Sequence, residues 1–169
     1  MSHNHKEIID DILRREGGSR ATNDSKDGGG RTQYGIAERS NPQAWADGKV
    51  TEEEARAIYE QKYIIAPGFH KILHPKLQAQ LVDFGVNSGP RVAIEKLQAI
   101  VGADVDGEIG PQTLALVETF YEAVDDPARL NNLLVVERIK MIGRIVVRNP
   151  SQAKFLSGWL NRALEFLIP

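Results

Sequence analysis

Residues 14–38 read RREGGSRATNDSKDGGGRTQYGIAE, and the fold turns on how this stretch is parsed. An acidic residue, Glu16, closes an apolar-periodic segment, and Gly17-Gly18 follows at once. A polar loop then carries Asp24, Asp27 and three consecutive glycines before TQYGI, residues 32–36, which reads as a short strand. Upstream, Ile8, Ile9, Ile12 and Leu13 fall on one face of a helix over 5–16, with Asp10, Asp11, Arg14 and Arg15 on the other. Glu16 lies four residues after Ile12 and three after Leu13, so it projects from the apolar face, and the glycine pair stops the helix there.

Further along the chain, helical patterns dominate. VTEEEARAIYEQKYI, residues 50–64, begins with Thr51 as N-cap and Glu54 three residues later, a capping box. Helices are predicted over 75–88, 90–102, 111–124, 127–148 and 150–168. Gly-Pro pairs at 89–90 and 110–111 set proline in first helical turns. Strand signal is confined to one or two short segments near 30–37, so the fold class is mainly α, with a small β-hairpin there. No internal repeat or low-complexity linker is present. With 169 residues the chain reads as a single domain able to bury a real core.

Composition narrows the function classes. Net charge is −2, which gives no global basic field for nucleic acid, and none is expected as a partner. The distribution is uneven: residues 129–169 carry seven Arg/Lys against two Glu, a local +5, leaving −7 for residues 1–128. That basic end suits either a solvated helix face or a surface toward an anionic polymer or envelope. With no cysteine, neither disulfides nor thiol chemistry carries the fold or the reaction. The N-terminal MSHNHKEIIDD has no apolar signal core, and His3 and His5 fall in a terminus expected to fray. No run approaches the roughly 18 apolar residues of a membrane span, so no stable membrane insertion is expected. The most apolar stretch, LLVVERIKMIGRIVV, is broken by Glu137, Arg138, Lys140 and Arg144 and reads as a core helix. The last helix, with Phe155, Trp159, Leu160, Leu164 and Leu167 at helical spacing, reads as core packing.

Several familiar chemistries fail on inspection. DGGGRT is not a nucleotide loop, because Ser25 stands where the first Walker glycine belongs and Arg31 replaces the lysine. GADVDGEIGPQT places Asp104 and Asp106 at two calcium-ligand positions, but Gly102 and Thr113 occupy the first and last, so an ordinary turn between helices is expected. His70 and His74 are spaced i, i+4 without the intervening base of a zinc protease helix. Neither a metal nor a cofactor is expected. There is no G-x-S-x-G elbow either. Carboxylate chemistry remains. Glu16 projects from an apolar face at a helix C-terminus, where desolvation and the helix dipole both disfavour its anion, and the adjoining glycines leave room for a substrate. Those features suit a general acid; the alternative is a solvent-exposed helix-end Glu. Asp27, in a water-accessible glycine turn, suits a carboxylate that stays ionised and stabilises an oxocarbenium-like transition state or orients a water, with Thr32 positioning that water. As an Asp-Gly pair, Asp27 equally suits a plain turn.

The same stretch resembles the N-terminal signature of glycoside hydrolase family 108, phage endolysins and related bacterial muramidases, whose pattern runs E-G-G-Y and then N-D-P-x-D-P-G-G-x-T-x-Y-G-I. QLVDFGVNSGPRVAIEKLQAIVGADVDGEIGPQTLALV resembles that family's second half, often described as peptidoglycan-binding, and FLSGWLNRALEFL its closing helix. The resemblance implies a lysozyme-like α+β fold and hydrolysis of the β-1,4 bond between N-acetylmuramic acid and N-acetylglucosamine in peptidoglycan. It also implies a catalytic Glu16, with Asp27 and Thr32 completing the site. Ser19 stands where the family has Tyr. Gly28 stands where it has Pro, which loosens the turn holding Asp27 and leaves Asp24 as the alternative second carboxylate. Asn87, Gln33 and Tyr34 are candidate sugar contacts; a helix cap, a strand edge and a core aromatic are their structural alternatives. Residues 90–124 are expected to form a helical peptidoglycan-binding-like region integrated into one catalytic domain over 1–169. Lytic transglycosylase action and non-catalytic wall binding are the competing functions. A monomer is expected, made in a host cytoplasm and reaching the periplasmic wall through a holin.

Overall fold

The computed structural model describes residues 3–18, 22–23, 30–126 and 128–169. They fall into two compact units, residues 1–66 and 67–169.

The first unit opens with helix α1, His3–Arg15. Ile8, Ile9, Ile12 and Leu13 are all buried, which is the apolar face expected from their spacing. Burying such a side chain contributes about 1.5–3 kcal/mol. His5 departs from the expectation of a frayed end: it is only 9% exposed and its Nδ1 lies 3.2 Å from Glu60 Oε1, so α1 is anchored from its first turns. A three-stranded antiparallel sheet follows, β1 Thr22–Asn23, β2 Arg31–Gln33 and β3 Ile36–Ala37, in that spatial order. The hairpin expected near 30–37 is present, and β1 is an addition that two residues could not announce in the sequence. Thr32 pairs with Thr22 on one side and Ala37 on the other, so it sits on the central strand.

The base of the hairpin is held by side chains. Arg31 donates to both Glu38 carboxylate oxygens at 2.7 and 3.0 Å and to the Gly48 carbonyl at 3.0 Å, while its guanidinium lies 4.8 Å from the Trp45 ring centroid. The hydrogen bonds from Arg31, and after them its charge, hold the Glu38 carboxyl below its ordinary value. Trp45 Nε1 donates to Ile36 O at 3.1 Å. Helix α2, Glu52–Glu60, starts with the capping box read from Thr51 and Glu54. It does not continue regularly to residue 64: Gln61–Ile65 is a π-helical turn, with Ala66 N–H donating to Gln61 O at 2.9 Å across five residues. No proline or glycine marks that change, so periodicity alone reads through it.

The second unit contains α3 Pro75–Ser88, α4 Pro90–Val101, α5 Pro111–Glu122, α6 Arg129–Arg148 and α7 Leu156–Leu164. Prolines open α3, α4 and α5, where their missing N–H has no intrahelical partner to lose. Phe69, Leu77, Leu81, Phe84, Leu97, Val117, Leu130 and Leu134 are fully buried. Asp83, 1% exposed, is buried with two guanidiniums: Arg138 Nη2 at 2.9 Å and Arg162 Nε at 3.0 Å. The helix expected over 150–168 is shorter. Pro150–Phe155 is a 3-10 segment, and α7 ends at Leu164. Asn131 Nδ2 donates to Phe166 O at 2.6 Å, and Asn132 exchanges two hydrogen bonds with Ile168, one of which takes the Ile168 N–H that a continuing helix would donate to Leu164 O.

Candidate active site

Glu16 ends α1 in a defined way. Its N–H donates to Ile12 O at 2.9 Å, continuing the helical ladder, and Gly18 N–H returns to Leu13 O at 3.1 Å. Gly17 and Gly18 have φ of +87° and +60°, the left-handed stop that glycine adopts without steric cost. A Cβ at either glycine would meet no described residue within 4 Å.

The hairpin closes against that turn. Tyr34 and Gly35 form its two-residue loop, both with positive φ (+52° and +74°), as the twist of the flanking strands favours. Tyr34 N–H donates to Gly18 O at 3.1 Å, tying the hairpin tip to the end of α1. Gly35 then lies directly on the Glu16 side chain: a Cβ there would stand 3.0 Å from Glu16 Cβ and 3.2 Å from Cγ, and would overlap the Tyr59 hydroxyl. Tyr59, 3% exposed on α2, donates from its hydroxyl to Tyr34 O at 3.0 Å. Its ring lies 5.7 Å, centroid to centroid, from Tyr63 in the π-helical turn. Burial, and after it the negative charge of Glu16, pushes the Tyr63 phenol up. Glu16 itself is half-buried.

Among the other candidates, Thr32 is half-buried, and strand alternation turns it to the opposite face from Arg31 and Gln33. Gln33 Oε1 accepts from Val50 N–H at 3.0 Å, so its side chain binds a neighbouring loop. Tyr34 contributes its backbone to the Glu16 turn. Asn87 is exposed in the last turn of α3, in the second unit. Asp27 and Asp24 lie outside the described residues. Among the described residues no group of three His, Asp or Glu side chains is arranged to hold a metal. His74 Nε2 is instead 3.2 Å from Glu118, and its ring stacks on Tyr121 at 3.4 Å.

The profile of the family described as Glycosyl hydrolase 108 matches residues 9–89, and that of the Predicted Peptidoglycan domain matches residues 92–164. Residues 9–89 are a glycoside hydrolase family 108 region. Among solved structures, SagA of Brucella abortus is similar over 96% of this chain and 94% of its own, with 28% identity and a TM-score of 0.68. No curated protein matches. The two profiles together make the chain a glycoside hydrolase acting on peptidoglycan, and the mostly helical architecture with its small hairpin is the lysozyme-like α+β fold. The hydrolase profile spans the α1 end, the hairpin and all of α3, and so includes Glu16, Gly35, Tyr59 and Tyr63.

Sequence reasoning missed the last three of these. Their signals were legible in retrospect: Tyr-Gly at a two-residue hairpin tip, and a Tyr-x-x-x-Tyr repeat on the inner face of α2 and its extension. Neither signal says by itself that the elements meet at Glu16.

Proposed function

We propose that this hydrolase cleaves the β-1,4 bond between N-acetylmuramic acid and N-acetylglucosamine, with Glu16 as the general acid. The observation that carries this reading is the seat of Glu16: a half-buried residue at the end of a helix whose apolar face is buried, packed on Gly35, beside two glycines that no described residue crowds. A proton donor must reach the glycosidic oxygen without competing side chains in the way, and a fixed seat supplies the orientation that proton transfer requires.

In this scheme Glu16 protonates the leaving oxygen as the C1–O bond breaks, and positive charge develops on the sugar ring. A second carboxylate stabilises that charge or activates the water that completes the reaction. Its place in the motif assigns this role to Asp27, with Asp24 as the alternative, and assigns the water to Thr32.

The test is release of soluble fragments from purified sacculi, together with turbidity loss of chloroform-treated Gram-negative cells. Wild-type protein should release fragments with reducing N-acetylmuramic acid ends by mass spectrometry. N-acetylglucosamine reducing ends would refute the bond assignment, and 1,6-anhydromuramic acid ends would assign transglycosylation instead. A folded Glu16→Gln protein with undiminished activity would refute the acid assignment.

A further inference from the structure

In the second unit, α3, α6 and α7 border a pocket of about 120 Å³. Its wall is divided. Asn87, Ser88 and Arg138 supply polar groups, whereas Ile142, Ile145 and Trp159 supply an apolar surface. We infer that this pocket binds the carboxylate end of a peptidoglycan stem peptide. The inference rests on peptidoglycan being the substrate, and does not depend on which residue acts as the acid.

Size is the first argument. Pockets for drug-sized ligands run from about 300 to 1,000 Å³, so a pocket of this volume takes one amino-acid end rather than a disaccharide. The second is the state of Arg138. It is 2% exposed, lies 2.9 Å from the Asp83 carboxylate and has its guanidinium carbon 5.1 Å from the Phe84 ring centroid. A guanidinium fixed in this way keeps its planar fork in place before a ligand arrives, which is the geometry that recognises a carboxylate.

Asn87 adds direction. With its amide oxygen turned to Arg162, it accepts from Nε at 3.0 Å and Nη1 at 3.2 Å. That orientation leaves the amide NH2 as a donor for a peptide carbonyl. The isoleucines and Trp159 suit the methyl group of an alanyl residue, the residue in which stem peptides end.

Charge gives the third argument. Arg138 on α6 and Arg162 on α7 share the single Asp83 carboxylate, which leaves one net positive charge beside the pocket. That charge draws an anionic group toward the pocket and disfavours an ammonium.

The test is a ¹H–¹⁵N NMR titration of the full wild-type chain with N-acetyl-D-alanyl-D-alanine, its C-terminal carboxamide and peptide-free GlcNAc-MurNAc disaccharide. The Trp159 indole N–H and the Ser88 amide should shift saturably with the acid, bind the carboxamide about tenfold more weakly, and stay put with the disaccharide. Absence of a saturable shift, equal affinity for the carboxamide, or a response to the disaccharide would each overturn the proposal. Ser88→Leu should abolish the response by closing the polar side, and Ile145→Phe should do so from the apolar side; either folded variant binding the acid as wild type does would also overturn it. Glu16→Gln should bind the peptide like wild type. An active enzyme without peptide binding sinks the pocket alone, and peptide binding with undiminished hydrolysis by Glu16→Gln sinks the acid assignment alone.

Discussion

Two glycine-rich turns carrying carboxylates each follow a helix in this chain, and they end up in different chemical states. In the turn after α4, Asp106 looks like a metal ligand in sequence, yet its Oδ1 accepts from Gln98 Nε2 at 2.7 Å and from Glu108 N–H at 2.9 Å. Gln98, fully buried, also donates to Glu108 O and Thr113 Oγ1 and accepts from Gly107 N–H. The turn closes on its own groups. In the turn after α1, Gly18 N–H returns to Leu13 O and Tyr34 N–H reaches Gly18 O, and the Glu16 side chain lies against Gly35. The Asp106 carboxylate is consumed by closing its own turn, whereas the Glu16 side chain is set against the tip of a hairpin from elsewhere in the chain.

The sharpest way to break this contrast is Glu16→Gln, expected to lower the hydrolytic rate by about 10²–10⁴-fold with an unchanged circular dichroism spectrum. Next comes Gly35→Ala. The methyl would press on Glu16 Cβ and the Tyr59 hydroxyl, and the positive φ would add about 1–2 kcal/mol of strain. A loss of about 10- to 100-fold in kcat is expected from a misplaced acid, with a smaller change in KM. Wild-type kinetics in this variant would mean that the hairpin tip does not position Glu16.

In the other turn the effect should fall on stability. Gln98→Ala leaves buried partners unsatisfied and should cost about 1–3 kcal/mol in urea unfolding, while the folded protein keeps its kcat. A selective loss of kcat without loss of stability would erase the distinction between the two turns.

The smallest effect is one of pH. The Gln98 amide, followed by the Glu108 N–H, holds the Asp106 carboxyl below its ordinary value. A folded value below the unfolded one, which is roughly 3.9, means that the stabilisation is present above the unfolded value. It is lost as pH falls through the folded one. Urea midpoints should therefore decline more steeply on acidification below about pH 4 in wild type than in Asp106→Asn. Parallel declines would show that this carboxylate contributes nothing to acid stability.

How much of this was legible depends on the range of the interaction. The α1 face, the Thr51–Glu54 capping box, the proline-led helices and the hairpin near 30–37 all rest on neighbours within about five residues, and spacing reveals them. The end of α7 was misread because Asn131 and Asn132, more than thirty residues earlier, take its terminal backbone groups. The π-helical turn was missed because its i+5 bond leaves no mark in residue type. The helix end at Glu16 was legible from spacing, but its contacts with Gly35 and the Tyr59 hydroxyl beside it were not, since a helix end, a hairpin tip and a later helix meet only in space.

By itself, then, the chain's sequence determined which segments are helical, where glycine must stop α1, and that Glu16 would emerge on the buried side of that helix. Those outcomes follow from local dihedral preferences and from the period of the apolar pattern. Only the tertiary structure decided that Gly35 would be the floor under Glu16, that Asp106 would be spent on closing a turn, and that Arg138 would be locked to Asp83 beside a small pocket. Each of those depends on which distant groups fill a fixed hydrogen-bonding or packing vacancy, and that is settled when the elements close on one another.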